Sequence, residues 1–397
     1  MSPARARSAF GAVLAALAAT MLASCGNGGT DLSEGPVLGQ KGEDQAAPVA
    51  LGFPGFATKN TTRVGGSDPT ADAAGVALAV FSGRAAAQRP RAVTLVEAGN
   101  WQAGVAAAVF MSPAVRAPVL LTDGTEMPDA SAEALQALEP TGARTVDGAQ
   151  VIRVGDAARP DGRKVVEVQG ANPYALAQRI DRLQSAAAGK TSDRVIVASG
   201  EQAPYAMPAA AWAAKSGDPV LYVRRNSIPR ETMSALRAHQ QPKIYVLGPP
   251  EVISNRVATQ LRRMGTVRRI AGRGPVGTSI AFARFVDGTF GWGVIDPGHG
   301  LVFANASRPL DAAAAAPLSS SGTYGPLLLT EDRGLPTELV QYLLDIQPGY
   351  ERDPVRGVYN HGWLIGDAKA ISVADQARID ALLEIVPVNT PAKPPAS

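Results

Sequence analysis

Three short apolar runs recur along the chain, each set between two prolines ten residues apart. Val119-Leu120-Leu121-Thr122 lies between Pro118 and Pro128, Val220-Leu221-Tyr222-Val223 between Pro219 and Pro229, and Leu327-Leu328-Leu329-Thr330 between Pro326 and Pro336. Runs this short, with no polar alternate, predict strands covered on both faces. An earlier mark repeats with the same beat. Gly66-Ser67-Asp68-Pro69, Gly170-Ala171-Asn172-Pro173 and Gly272-Arg273-Gly274-Pro275 place a glycine three residues before a proline, with spacings of 104 and 102 residues. Solenoid units are much shorter than that, so the period describes small repeated domains.

The middle copy gives the series of elements most plainly. It predicts strand Val165–Val168, helix Pro173–Gln184, strand Val195–Ala198, helix Tyr205–Lys215, strand Val220–Val223, helix Pro229–His239, strand Ile244–Leu247 and helix Val252–Met264. Pro173 and Pro229 sit where their fixed φ suits a first helical turn. The first copy shows strands Ala92–Val96, Val119–Leu121 and Val151–Val154 and a helix Gln102–Met111. Only 15 residues separate Gly155 from Gly170 against 24 between Gly248 and Gly272, so its last helix is expected to be missing. The third copy predicts strands Leu301–Ala304, Leu327–Leu329 and Trp363–Ile365 and a helix Val373–Ile385, with an insertion at Gln347–Asn360. Strand and helix alternate throughout. The expected fold class is therefore α/β, three tandem similar modules with mainly parallel sheets, over residues 59–164, 165–265 and 266–385.

The ends read differently. Arg5 and Arg7 precede a 13-residue apolar run from Ala9 to Met21, which suits an export signal and is too short to cross a bilayer. Leu22-Ala23-Ser24-Cys25 then resembles a bacterial lipobox, which implies cleavage after residue 24 and acylation of Cys25. Cys25 is the only cysteine, so no disulfide can form within one chain and the exported body is expected to rely on its cores. Residues 26–58 read as a flexible tether and 386–397 as a Pro-rich tail.

Lys and Arg number 38 and Asp and Glu 35, and removal of Arg5 and Arg7 leaves a nearly neutral protein. With no basic stripe interleaved with aromatics, nucleic acid is not an expected partner. His239, His299 and His361 stand apart from any second ligand at metal spacing, so no metal or cofactor is expected. Gly272-Arg273-Gly274-Pro275-Val276-Gly277 has the glycine spacing of a dinucleotide loop, but only its first glycine recurs in the other copies, which points to a tight turn instead. Ser319-Ser320-Ser321 lacks the glycines of a nucleophile elbow.

The order of motifs in each copy resembles the cell-wall-binding type 2 repeats of bacterial surface proteins. An Arg-hydrophobic-x-Gly opening stands at Arg63-Val64-Gly65-Gly66 and Arg269-Ile270-Ala271-Gly272, replaced by Glu167-Val168-Gln169-Gly170 in the middle copy. Strands ending in glycine stand at Ile152–Gly155, Tyr245–Gly248 and Leu364–Gly366. Where the family often begins its Ala-rich helix with an aspartate, this chain has Ala103, Tyr205 and Asp311. The resemblance covers about residues 60–385. It implies a pseudo-threefold triplet that binds anionic wall polymer noncovalently, without catalysis, at the membrane's outer face. Arg63, Arg224, Arg225, Arg269 and Arg273, at strand ends where anions settle in open α/β sheets, are the expected polymer contacts. Two alternatives remain: a solute-binding lipoprotein of a transporter, which needs two lobes, and an accessory protein of a wall hydrolase.

Overall fold

The computed structural model describes residues 56–388 apart from 84, 322 and 333. The signal, Cys25 and nearly all of the expected tether and tail lie outside the described residues. Strand β1 (Phe56–Ala57) pairs antiparallel with β2 (Thr61–Val64), so the last residues expected in the tether belong to a sheet. Helix α1 (Pro69–Val80) follows, capped by the Asp68 carboxylate, which accepts from the Thr70 and Ala71 amides. Then come β3 (Val93–Glu97), α2 (Trp101–Ala107) with a 3₁₀ extension to Met111, β4 (Val119–Thr122), α3 (Asp129–Leu138) and β5 (Val151–Val154). No helix separates β5 from β6 (Val165–Val168), in agreement with the short spacing there.

The middle stretch contains α4 (Pro173–Ala188), β7 (Arg194–Ser199), α5 (Ala203–Ser216), β8 (Val220–Val223), α6 (Arg230–Ala238), β9 (Lys243–Leu247), α7 (Asn255–Leu261) and β10 (Thr266–Ile270). The last contains α8 (Gly274–Arg284), β11 (Gly300–Asn305), α9 (Asp311–Ser320), β12 (Leu327–Thr330), α10 (Thr337–Asp345), β13 (Gly349–Tyr350), β14 (His361–Ile365), α11 (Val373–Leu383) and β15 (Val386–Pro387). β13 and β15 pair, which draws the first residues of the expected tail into structure.

Besides that two-stranded pair, the described residues form three larger sheets, with strand orders β4-β3-β5-β6, β8-β7-β9-β10 and β12-β11-β14-β2-β1. All pairs in them are parallel except β1 with β2. The strand that opens each predicted module is the fourth strand of another module's sheet. β6 completes the first sheet, β10 the second, and β2, from the start of the chain, completes the third. Sheet membership divides the chain one strand later than the boundaries expected at 164/165 and 265/266. The physical reason is local: the glycine turn after each opening strand sends the chain on to the next sheet, so the strand stays behind with the previous one. Three sheet-and-helix bodies also depart from the two-lobed plan that the transporter alternative requires.

Each central strand leads into an Ala-rich helix, α2, α5 or α9, and these three pack on one another. Alanine makes this close packing possible. In α5, residues 206–214 are all buried, as are 311–319 in α9. Gly104 in α2 is needed for the same reason, since a Cβ there would stand 2.8 Å from Leu310 Cδ2 and 3.2 Å from Ala313 Cβ. The apolar runs between the prolines are β4, β8 and β12, with every residue buried. Each such Val or Leu contributes roughly 1.5–3 kcal/mol through burial.

Candidate functional site

Arg63 and Arg269, the paired arginines of the repeat opening, turn inward. Arg63 lies on β2 and is 8% exposed. Its Nη1 donates to the carbonyls of Gly366 (2.9 Å) and Asp367 (2.7 Å), Nη2 to that of Ile371 (2.7 Å), and Nε to Gln376 Oε1 (3.0 Å). Arg269, half-buried on β10, donates to the carbonyls of Gly248 (2.6 Å) and Ile253 (2.8 Å). Burial pulls both guanidinium pKa values down from their ordinary range. These side chains tie down the loop after each glycine-ended strand, where backbone carbonyls would otherwise lack donors. Arg63 and Arg269, expected as polymer contacts, are thus engaged by backbone carbonyls.

The middle copy solves the same problem by exchange. Glu167, in the arginine's place on β6, faces Arg153 of β5 at 3.5 Å and also pairs with Arg159, while Arg153 Nε donates to the Ala157 carbonyl. The charge has moved to the neighbouring strand.

Arg224 and Arg225 remain exposed just after β8, at the carboxyl end of the second sheet. The Arg224 guanidinium carbon lies 5.5 Å from the centre of the Tyr174 ring. Tyr174 packs against Gly200, where an added Cβ would come within 3.0 Å of the ring, so a larger residue would displace it. Burial raises the Tyr174 hydroxyl pKa, against the opposing charge of Arg224. Arg225 is fixed through its backbone: its N–H donates to Glu201 at 2.9 Å and its carbonyl accepts from the Ser254 N–H. The Arg225 side chain has no hydrogen-bond or ion-pair partner among the described residues. Tyr205 stands next to Gly248 in the same rim, and burial raises its pKa. An aromatic and two exposed cations at a strand's carboxyl end can receive an anionic group beside a sugar face. Tyr174 escaped the sequence reading, although Pro173-Tyr174 directly follows the repeated turn.

Arg273 stands exposed at the amino end of α8, without a side-chain cap bond. No contact joins it to Arg224 or Arg225. The Gly272 N–H accepts no phosphate-loop role here, since it donates to Thr278 Oγ1 at 3.3 Å.

A second polar cluster occupies the closing seam between the chain's first and last parts. Asp72 of α1 and Asp311 at the start of α9 are both fully buried. Arg308 joins them: its Nε donates to Asp311 at 2.7 Å and its Nη2 to Asp72. Asp72 also accepts from the Gly66 N–H at 2.6 Å. Gly65 has φ +115°, and a Cβ on it would collide with Asp72. Burial and the neighbouring Asp311 push the Asp72 carboxyl well above its usual range, and burial raises Asp311 to about 6 against the pull of Arg308. The equivalent positions six residues after the other opening glycines are Leu176 and Thr278, so this charge cluster is particular to the seam.

The histidines have separate surroundings. Buried His239 bonds Asp181 at 3.0 Å and the Ser192 carbonyl at 2.7 Å; burial opposes its protonation, but these partners raise its pKa. His361 bonds Thr62 Oγ1, and burial lowers its pKa. His299 lies beside Asp296. Among the described residues no group of three His, Cys, Asp or Glu side chains could hold a metal ion.

Comparison with known proteins adds to this geometry. Residues 167–258 match the family Cell wall binding domain 2 (CWB2). That stretch runs from β6 into α7 and contains Tyr174, Arg224 and Arg225. Over 182 residues the chain is 24% identical to N-acetylmuramoyl-L-alanine amidase LytC of Bacillus subtilis (strain 168), covering 46% of this chain and 34% of that one. In structure it is similar to Cwp6 from Clostridium difficile, with TM-score 0.64, 17% identity, and coverage of 82% of this chain and 48% of the other. Cwp8 from Clostridium difficile is similar too, with TM-score 0.63, 16% identity, and coverage of 82% and 52%. The chain thus spans about a third of the curated relative's length and about half of each structural neighbour's, and the fold of mainly parallel α/β modules is shared.

Proposed function

We propose that this protein is lipid-anchored through Cys25 and holds noncovalently to an anionic polymer of the cell wall, acting by binding and not by catalysis. The observation that carries the reading is the family match over residues 167–258, because it falls on the module with exposed Arg224 and Arg225. Exposed cations act locally in a nearly neutral protein and are screened over about 8 Å in physiological salt. Retention on isolated wall should therefore weaken steeply as salt rises. Arg224→Ala with Arg225→Ala should weaken it more than either alone, since modest contacts on one polymer combine multivalently. Arg273→Ala should add a smaller loss if the polymer reaches the third module. The deciding measurement is co-sedimentation of the pure protein with wall before and after chemical stripping of its anionic polymers. Equal retention on both, or by the double variant in high salt, would remove the polymer reading.

The anchor rests on the sequence up to Cys25. Each buried CH₂ of an acyl chain contributes about 0.8 kcal/mol, so two or more chains hold firmly where one does not. Cys25→Ala should move the protein from the membrane to the soluble fraction. An unchanged distribution, with a free thiol on Cys25 in the mature native protein, would refute the assignment.

A further inference from the structure

Large apolar side chains are exposed in one part of the chain. Among the described residues Phe56 is the one such side chain exposed before position 286, and all the others lie between Val286 and Val388. Scattered single exposures are ordinary, whereas their concentration in one region marks an interaction surface.

Several of the segments that carry them converge at the amino end of the third sheet, where β11 and β14 begin. The N–H groups of Gly298 and His299 donate to Asn360 Oδ1 at 2.8 and 3.0 Å, which ties the approach to β11 to the insertion before β14. Val358 stands against Gly298, and Gly357 against Ile385. Tyr324 precedes Gly325, which lies against Gly300. Val355 projects furthest, at 81% exposed, from a 3₁₀ turn over Pro354–Arg356. That turn is well built. The Asp353 carboxylate accepts from the Val355 N–H at 3.0 Å, the Arg356 and Gly357 N–H groups donate to the carbonyls of Asp353 and Pro354, and the Tyr359 hydroxyl donates to the Pro354 carbonyl at 2.6 Å. The backbone thus holds an apolar tip out into solvent, where burial by another surface is favourable.

We infer that this face rests on a phospholipid surface, with Val355, Val358 and Tyr359 entering the boundary between headgroups and acyl chains. The inference rests on the Cys25 anchor of the proposed function. Thirty residues separate Cys25 from Phe56, which lies in the third sheet itself, so an anchored chain keeps the face within about 100 Å of the bilayer even at full extension. Contacts too weak to hold a free protein then suffice, because the encounter is intramolecular. The shape is a projecting tip, which suits insertion better than a groove would. Glu351, Arg352, Asp353 and Arg356 balance in charge, so the segment has no call for a polyanion. Tyrosine, with an apolar ring and a polar end, suits the interface.

The test uses the full protein purified from membranes and incorporated into phosphatidylcholine nanodiscs, with and without brominated acyl chains that quench tryptophan on contact. The fluorescence added by Val355→Trp should fall by about half or more in brominated discs, since a side chain at this depth lies beside the acyl chains. Ala137→Trp, on the exposed side of α3, should not respond. High salt should leave the quenching at 355 unchanged, in contrast to wall retention. Adding Val358→Asp should relieve the quenching with no change in thermal midpoint, because the position is half exposed. Ile295→Trp, at 67% exposure, serves in place of Val355→Trp if that variant fails to fold. Absence of quenching at 355, or equal quenching at 137 and 355, overturns the inference. So does a dimer that shields Val355 without quenching, since the face would then meet a second copy. Cys25→Ala that stays in the membrane fraction refutes the anchor alone, and the nanodisc quenching still decides this contact.

Discussion

Arg63→Ala should cost the folded state about 3 kcal/mol or more and leave the intrinsic wall affinity of the folded protein unchanged. The substitution leaves the Gly366 and Ile371 carbonyls and the Gln376 side-chain oxygen without this donor in a buried place, while the Asp367 carbonyl keeps the Ala370 and Ile371 N–H groups. Buried groups left unpaired cost about 1–3 kcal/mol apiece, less whatever the loop recovers by relaxing. Arg269→Ala should cost about half as much, because its site is half open to solvent and it serves two carbonyls. Arg63→Lys should rescue poorly, since one ammonium cannot span the four acceptors of a planar fork. The seam raises the stakes. β2 meets β14 through residues 61–64 alone, its Thr61 bonds Gln376 of α11, and the preceding Asn60 bonds Asp380 of α11 and Glu384 just beyond it. Denaturant titration followed by tryptophan fluorescence checks this, with Trp363 directly opposite Thr62 as the local reporter. Unchanged midpoints with lost wall retention would restore Arg63 as a polymer contact.

That reversal shows where the sequence was readable and where it was not. Strands Val151–Val154, Val165–Val168 and Val220–Val223 match the expected bounds to the residue, and in Val220–Val223 every position is buried, so no polar residue blurs its ends. Helix ends shifted by up to four residues: α4 continues to Ala188 because Ala186 and Ala187 keep its pattern until Gly189 ends it. α7 begins only at Asn255, where Ser254 caps it. Which sheet an opening strand joins was not legible, since its pattern is equally buried in either. The inward turn of Arg63 and Arg269 was not legible for a related reason. A basic residue beside a glycine turn reads as a rim cation, yet an extended side chain from the fourth strand reaches the carbonyls of the neighbouring loop. The signal was present in the middle copy, where Glu167 replaces the arginine and Arg153 stands opposite it on the neighbouring strand in the place of Val246 and Leu364, a compensation that a structural arginine demands and a ligand contact does not. The spacing that unites Gly66 with Asp72 and Gly272 with Thr278 was equally visible.

Arg308→Ala should destabilise the protein by about 3–5 kcal/mol near neutral pH, the usual result of leaving buried charge without its partner. Asp72 and Asp311 would then face each other with no cation between them, and with Asp367 adding to the field at Asp311. The loss should shrink as pH falls. Burial already raises Asp311 to about 6, above its ordinary 3.8, so the folded state takes up a proton that the unfolded chain does not hold in that interval. For such a group stability increases as pH falls from about 6 towards 4 and declines as pH rises through about 6. Removing Arg308 removes the influence that holds both carboxyl pKa values down, which extends the interval upwards. The gap between wild type and variant should therefore be wide at pH 8 and narrow at pH 5. Asp311→Asn is the complementary case: it keeps Arg308 paired with Asp72, removes the excess buried charge, and should flatten this part of the wild-type profile. Glu384 and Asp345, whose pKa values are lowered by their partners, slope the other way and remain in every variant, so the differences between variants isolate the seam. Thermal midpoints from pH 5 to pH 8 provide the measurement. A gap that stays constant across that range would mean that Asp72 and Asp311 keep fixed charges, and that the seam is held by shape and hydrogen bonds alone.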